Sequence, residues 1–323
     1  MTAIADSLAA GYRALTEACG LVDRSERGKL ALTGPDAKAF LHGQVTNDIE
    51  GLAPGRGCYA AFLTHKGKML GDMRVLDLGD ELLLDTERST LQELFNMIRR
   101  YKLGSDVELH KRTLEMALLS LIGPDARRVA GARSPSGAEH ANARAEIAGK
   151  PVVLVATDTG IDVFCAADDT AAVRAALEAA GAVAVEEAVA EIVRVERGRP
   201  RYGFELDEGV IPQEAGLNER AVSFTKGCYV GQETVARLFY RGKPNRHLRG
   251  LRLSGPAAPG DALRRGEKEV GRVGTTVLSP TFGPIALAIV RREAEPGDTL
   301  AVGDAGTTAE VVDLPFQDPP LTA

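Results

Sequence analysis

The sequence predicts an α+β protein that ends in a separate all-β domain. Three observations carry this reading. Apolar runs of strand length alternate with helical patterns through the first 245 residues. The runs between residues 58 and 85 follow one another through tight turns, as an antiparallel meander does. After residue 246 the chain changes to short apolar runs separated by Gly and Pro. With 323 residues, 44% of them hydrophobic, the chain is long enough for two or three domains with sizeable cores. The expected division is residues 1–245 and 246–323.

The N-terminal segment sets Ile4, Leu8, Tyr12 and Leu15 at helical spacing. It lacks the basic start and continuous apolar core of a signal peptide. Residues 21–33 read as a strand pair or an extended segment. Gly34-Pro35-Asp36 then opens a helix whose apolar face is Ala37, Phe40, Leu41 and Val45. The meander comprises Cys58 to Leu63, Met69 to Leu78 and Glu81 to Asp85, with turns at Lys66-Gly67-Lys68 and Gly79-Asp80. Ser89-Thr90-Leu91-Gln92 has the form of a capping box, and Leu91, Leu94, Phe95 and Ile98 mark one face of the helix it would open. Strands return at 107–110 and 115–122. Residues 132–146 are polar and small and read as a surface loop or weak linker. A hairpin at 152–156 and 161–165 and helices at 169–180 and 186–197 complete the first region. The runs at 248–253, 270–277, 285–290 and 308–312 predict a small antiparallel barrel.

Composition excludes several classes. A net charge of −6 argues against a nucleic-acid-binding surface, and the absence of Trp argues against a stacking platform for single strands. No stretch of about 18 apolar residues is available to span a membrane, so a cytoplasmic protein is expected. Cys19, Cys58, Cys165 and Cys228 form no CxxC pair, and the five histidines show no HxxxH or HxH spacing. Neither a disulfide framework nor a protein-only metal site is expected. No GxGxxG follows a strand, which argues against a dinucleotide site.

The most informative segment is Lys-Gly-Cys-Tyr-Val-Gly-Gln-Glu at 226–233. Its two glycines permit sharp turns and close backbone approach. Lys226 stands two residues before Cys228, and a nearby cation favours the nucleophilic thiolate. Glu233 acts in the opposite sense, so spacing leaves the sign of the shift open. Gln232 and Glu233 fit either a polar ligand contact or the first turn of a helix.

This string resembles the signature of the YgfZ proteins, a branch of the glycine cleavage T-protein family. LTGPDAKAFLHGQVTNDI (32–49) is similar to the family's N-terminal QxTND segment, and PGRGCYAAFLTHKGKMLGDMRV (54–75) to its folate-proximal hairpin. RVERGRPRYGFEL (194–206), IPQEAGL (211–217) and TVARLFYRG (234–242) continue the likeness in order. The resemblance implies a three-lobed ring of two interwoven, ferredoxin-like α/β lobes and a C-terminal antiparallel β-barrel. It implies tetrahydrofolate, or a one-carbon derivative, as the ligand. It implies an accessory role in assembly or repair of iron–sulfur enzymes, including those that modify tRNA, with these enzymes as clients and no direct contact with nucleic acid. The alternative is an aminomethyltransferase of the T-protein type.

On the same basis Cys228 is the key thiol, and Lys226 its partner or the holder of an anionic ligand. Asp72 is the candidate for the folate nitrogen that carries the one-carbon unit. T-proteins have two adjacent carboxylates there, whereas this chain reads Gly71-Asp72. Gln232 and Glu233 would position the thiol or the pterin. Arg237, within a basic stretch running to Arg252, would grip a carboxylate of the folate tail. Asn47 would turn the chain or line the folate site. Whether turnover occurs is left open by the residues.

Overall fold

The computed structural model describes residues 2–135 and 137–317. The Ile4 side chain, Ser136 in the expected loop and the last six residues of the expected barrel domain lie outside the described residues. The chain forms two compact units, Met1–Ala190 with Asn218–Gln232, and Glu191–Leu217 with Glu233–Ala323.

The first unit opens with helix α1 (Thr2–Glu17) and holds two sheets. One has five strands in the order β3 (Gly57–Leu63), β4 (Met69–Asp77), β5 (Leu82–Thr86), β2 (Gly28–Thr33), β6 (Glu108–Lys111). The other has six, in the order β11 (Val183–Ala184), β1 (Gly20–Asp23), β7 (Met116–Ile122), β10 (Gly160–Ala166), β9 (Lys150–Ala156), β8 (Asn142–Ile147). Helices α2 (Ala37–His42) and α3 (Leu91–Tyr101) cover one face of the five-stranded sheet, burying Phe40, Leu41, Leu94 and Ile98 with Leu30, Leu32, Phe62 and Val75. Helices α4 (Ala126–Ala130) and α5 (Thr170–Ala179) cover one face of the other, where Val129, Val173 and Leu177 meet Leu121, Leu154 and Ile161. Leu76, Leu83, Leu118, Val153, Val155 and Phe164 form a third cluster that joins strands of the two sheets. Central strands are therefore buried on both faces, which is why their sequences read as continuous apolar runs.

Two expectations fail here. Thr90, not Ser89, precedes α3, and it makes no side-chain capping bond. Its hydroxyl meets that of Thr86 at 2.6 Å, and the Gln92 amide donates to Asn96, so the capping box does not form. The stretch 132–146 is not all loop. From Asn142 it is strand, because the register Ile147↔Lys150 closes a two-residue turn, Ala148-Gly149, with φ of 53° and 71°. Only Asn142 and Ala145 of that strand are buried, so its sequence shows little apolar alternation.

In the second unit, β12 (Arg246–Leu253), β13 (Ala262–Arg265), β14 (Lys268–Ser279), β15 (Gly283–Arg291), β16 (Thr299–Val302) and β17 (Thr307–Val312) form a closed barrel, ordered β12-β15-β14-β13-β16-β17. Its interior holds Leu251, Leu263, Val273, Ala288, Leu300 and Val311. Beside it, Arg194 from helix α6 (Glu187–Glu196) binds Glu205 at 3.0 Å and Thr275 of β14 at 2.7 Å. No helix among the described residues is long and apolar enough to cross a membrane.

Candidate functional site

The β3–β4 hairpin supplies the first half of the site. The Tyr59 hydroxyl on β3 donates to Asp72 Oδ2 on β4 at 2.6 Å. The Asp72 backbone carbonyl accepts from Thr86 Oγ1 at 2.5 Å. Burial pushes the Asp72 carboxyl up to about 6. The Tyr59 bond pulls it down, and the neighbouring Glu87 pushes it up. Burial beside the same carboxyl also raises the Tyr59 phenol well above its ordinary range.

Beneath this pair lies a buried ionic lattice. Arg27 grips Asp85 through two bonds, of 2.9 and 3.0 Å, and also pairs with Glu87. Arg74 binds Asp85 at 2.7 Å and pairs with Asp162 of β10. Burial alone would raise the Asp85 carboxyl, but the two guanidinium groups overcome it and hold Asp85 well below the usual carboxylate range. Among the described residues no arginine bonds Asp72 directly, and the two buried aspartates therefore shift in opposite directions.

The QxTND segment staples a distant part of the chain to β3. Thr46 Oγ1 donates to Ala221 O at 2.5 Å and accepts from Ala61 N at 2.9 Å. Asn47 Nδ2 donates to Tyr59 O at 2.9 Å and to Arg220 O at 3.3 Å. Helix α7 (Asn218–Ala221) is thereby held where the Arg220 guanidinium lies 5.4 Å from the Tyr59 ring centre. Asn47 thus orders the backbone around Tyr59.

The thiol-bearing loop follows α7 and is pinned at both ends. The Lys226 ammonium donates to the carbonyls of His42 and Val45, the latter at 2.8 Å, and sits 4.9 Å from the Tyr229 ring centre. Burial, partly opposed by Asp48, brings this lysine down to about 8. Gly231 has φ +83°, and a Cβ there would stand 2.4 Å from Thr64 O. Glycine is therefore required for the loop to lie against the hairpin turn. Gln232 Oε1 accepts from Tyr229 N at 3.1 Å, closing the turn into helix α8 (Gln232–Arg241).

Cys228 is exposed between these anchors, while Cys19 and Cys165 are buried and Cys58 is partly buried. Burial pushes the Cys58 thiol up to about 12 and the Cys19 thiol up to about 11, so neither is a ready nucleophile. Among the described residues the hydrogen bonds of the Lys226 ammonium go to the His42 and Val45 carbonyls, not to Cys228. Lys226 holds the loop, and its charge reaches the thiol only across space. Among the described residues no three His, Cys, Asp or Glu side chains are grouped to hold a metal ion.

Glu233 and Arg237 belong to the second unit. Both are exposed on α8, and neither side chain makes an ion pair or hydrogen bond among the described residues. Of the other basic residues downstream, Arg246 is engaged by Glu214 at 2.7 Å, Arg249 by Asp313 at 3.3 Å and Arg252 by the Gln317 carbonyl. The structure thus brings Asp72 and Asn47 to Tyr59, and Lys226 and Gln232 to the Cys228 loop. Sequence reasoning missed Tyr59, Arg27 and Arg220. Tyr59 stands within the hairpin motif, but only strand register reveals that it faces Asp72.

Two sheeted α/β lobes in one unit and a closed six-stranded barrel in the other define a fold of the glycine-cleavage T type. Residues 2–226 match the model of the GCVT N-terminal domain, and 246–318 that of the glycine cleavage T-protein C-terminal barrel domain. The chain belongs to the glycine cleavage T-protein family. Relatives include the aminomethyltransferase of Rubrobacter xylanophilus, 30% identical over 95% of this chain and 85% of that protein. The aminomethyltransferase of Saccharopolyspora erythraea is 31% identical over 95% and 89%. A chloroplastic protein of Arabidopsis thaliana is 29% identical over 93% and 72%. Among solved structures, the glycine cleavage system aminomethyltransferase T of Bartonella henselae covers 96% of this chain and 89% of its own, with a TM-score of 0.86 at 21% identity.

Proposed function

We propose that this chain binds tetrahydrofolate or a one-carbon derivative and supports the assembly or repair of iron–sulfur enzymes, with Cys228 as the working thiol. The observation that carries this reading is the loop itself: an exposed cysteine on backbone anchored by Lys226 and Gly231. The likeness of 226–233 to the YgfZ signature supplies the role. Four free thiols suit a reducing compartment, the expected cytoplasm.

We read the surroundings of Asp72 as the folate site: Tyr59 bonds one oxygen of its carboxyl, and no hydrogen bond among the described residues occupies the other. Bound tetrahydrofolate would supply a nitrogen able to carry a one-carbon unit. Asp72, with its carboxyl near 6, would hold or release a proton at its own Oδ atoms. Tyr59 would fix the orientation of that carboxyl through its hydrogen bond.

The second reading is aminomethyl transfer, favoured by the names of the relatives. One feature weighs against it. A Cβ at Gly71 would stand 2.6 Å from the Phe62 ring and 3.0 Å from Thr90 Cβ. The position at which T-proteins carry the second carboxylate is filled here by core side chains.

Calorimetric titration with tetrahydrofolate tests the proposal. Wild type and Cys228→Ser should bind alike, and Asp72→Asn at least tenfold more weakly. In cells lacking the chain, iron–sulfur enzyme activity should return with wild type and not with Cys228→Ser. Absence of folate binding, or full rescue by the serine variant, overturns the proposal. Turnover of an aminomethylated lipoyl carrier would establish the second reading instead.

A further inference from the structure

A cleft of about 590 Å³, whose lining includes neither Tyr59 nor Asp72, opens between α3 and the tip of the β3–β4 hairpin. Phe62, Leu63, Leu70, Met97 and Val230 supply apolar wall. Gln44 also lines it. Its Oε1 is buried, and among the described residues its amide nitrogen makes no hydrogen bond and is left to face the cleft.

The charged wall residues are ordered along α3. Glu93 stands in its first turn, Arg99 and Arg100 in its last, and all three are exposed and make no ion pair among the described residues. At about 1.5 Å per residue, the carboxylate and the guanidinium groups are separated by roughly 9–10 Å along the helix. An extended peptide covers about 3.3–3.6 Å per residue. Three residues therefore span the interval, with an α-ammonium at Glu93 and an α-carboxylate at the arginines. The Gln44 amide nitrogen, a donor, would meet a peptide carbonyl between them. The exposed His65 adds a donor on the hairpin side.

We infer that this cleft binds a short apolar peptide with free termini, about three residues long, lying parallel to α3. Val230 is two residues from Cys228, so the bound peptide would lie beside the thiol-bearing loop. The inference is independent of folate binding and uses none of the residues around Asp72.

The same charges also complement the dipole of α3, an explanation that calls for no ligand, and the test separates the two. The probe is alanyl-leucyl-alanine, with its N-acetyl form and its C-terminal amide for comparison, followed by calorimetry or NMR on the full chain. The unmodified tripeptide should bind at least fivefold more tightly than either blocked form. Glu93→Gln should abolish the preference over the acetylated peptide. The double variant Arg99→Gln/Arg100→Gln should abolish the preference over the amide. These are exposed positions on the helix, so the variants should fold. Asp72→Asn should leave peptide binding unchanged. No saturable binding of the unmodified tripeptide at millimolar concentration, or preferences that persist in the charge variants, would overturn the inference.

Discussion

Asp72 and Cys228 are both in the first unit, and they are held by different means. Asp72 is surrounded by side chains. Tyr59 bonds its carboxyl, Thr86 its carbonyl, and the Arg27–Asp85–Arg74 lattice lies next to it. Cys228 is positioned through backbone and neighbours, by Lys226 on two carbonyls and by Gly231 against Thr64, while its own side chain is exposed. A buried acid needs a saturated environment to stay in place and to set its proton affinity. A thiol that must meet another molecule needs the reverse, a firm backbone and a free sulfur. Substitutions should therefore act on stability in the first region and on local exposure in the second.

The largest effect is expected from Asp85→Ala. It leaves Arg27 and Arg74 buried around a missing carboxylate, a loss of about 3–5 kcal/mol. Denaturant unfolding at pH 7 measures it. Because the folded-state carboxyl of Asp85 is held below its unfolded value, its contribution is present above the unfolded pKa. It is lost as pH falls through the folded one. A variant within about 1 kcal/mol of wild type would show that the lattice does not hold the sheets together.

Asp72 should show the opposite pH sign. Its folded pKa, raised to about 6, exceeds the unfolded value of about 3.9. Its favourable contribution is complete below the unfolded value and is lost as pH rises through 6. Between pH 4 and pH 7.5 the wild type should lose roughly 2–3 kcal/mol from this group. Asp72→Asn, which still accepts the Tyr59 hydroxyl, should flatten that slope. Urea unfolding of both proteins at the two pH values decides it, and equal slopes would show that Asp72 is already ionised at low pH.

The meander was legible because strands buried on two faces leave unbroken apolar runs such as Leu82–Leu84. The barrel was legible from its Gly and Pro turns, although β13 and β16, four residues each, are too short to stand out as runs. Strand β8 was hidden because it buries two small or polar residues rather than a row of large ones. At the site, Cys228, Asp72 and Asn47 were found through motifs. Their partners were not, since Tyr59 meets Asp72 through strand register and Arg27 meets Asp85 through sheet pairing. Lys226 shows the limit of spacing. Two residues from the thiol, it suggested a charge partner, but its ammonium goes to carbonyls 181 and 184 positions away.

Gly231→Ala sharpens the contrast with the smallest change in chemistry. The added methyl costs about 1–2 kcal/mol for a left-handed backbone, and it also meets a carbonyl oxygen that belongs to the hairpin turn. The loop can relieve both by lifting away from the hairpin, because Lys226 holds its other end and the sheet beneath is complete without it. Global stability should therefore fall by no more than about 1–2 kcal/mol. Loosening the backbone on the C-terminal side of an already exposed sulfur should speed alkylation of Cys228 severalfold, as followed by mass spectrometry of the labelled peptide. A variant as slow to alkylate as wild type would mean that Gly231 does not fix the thiol, and that Lys226 alone sets the position of the loop.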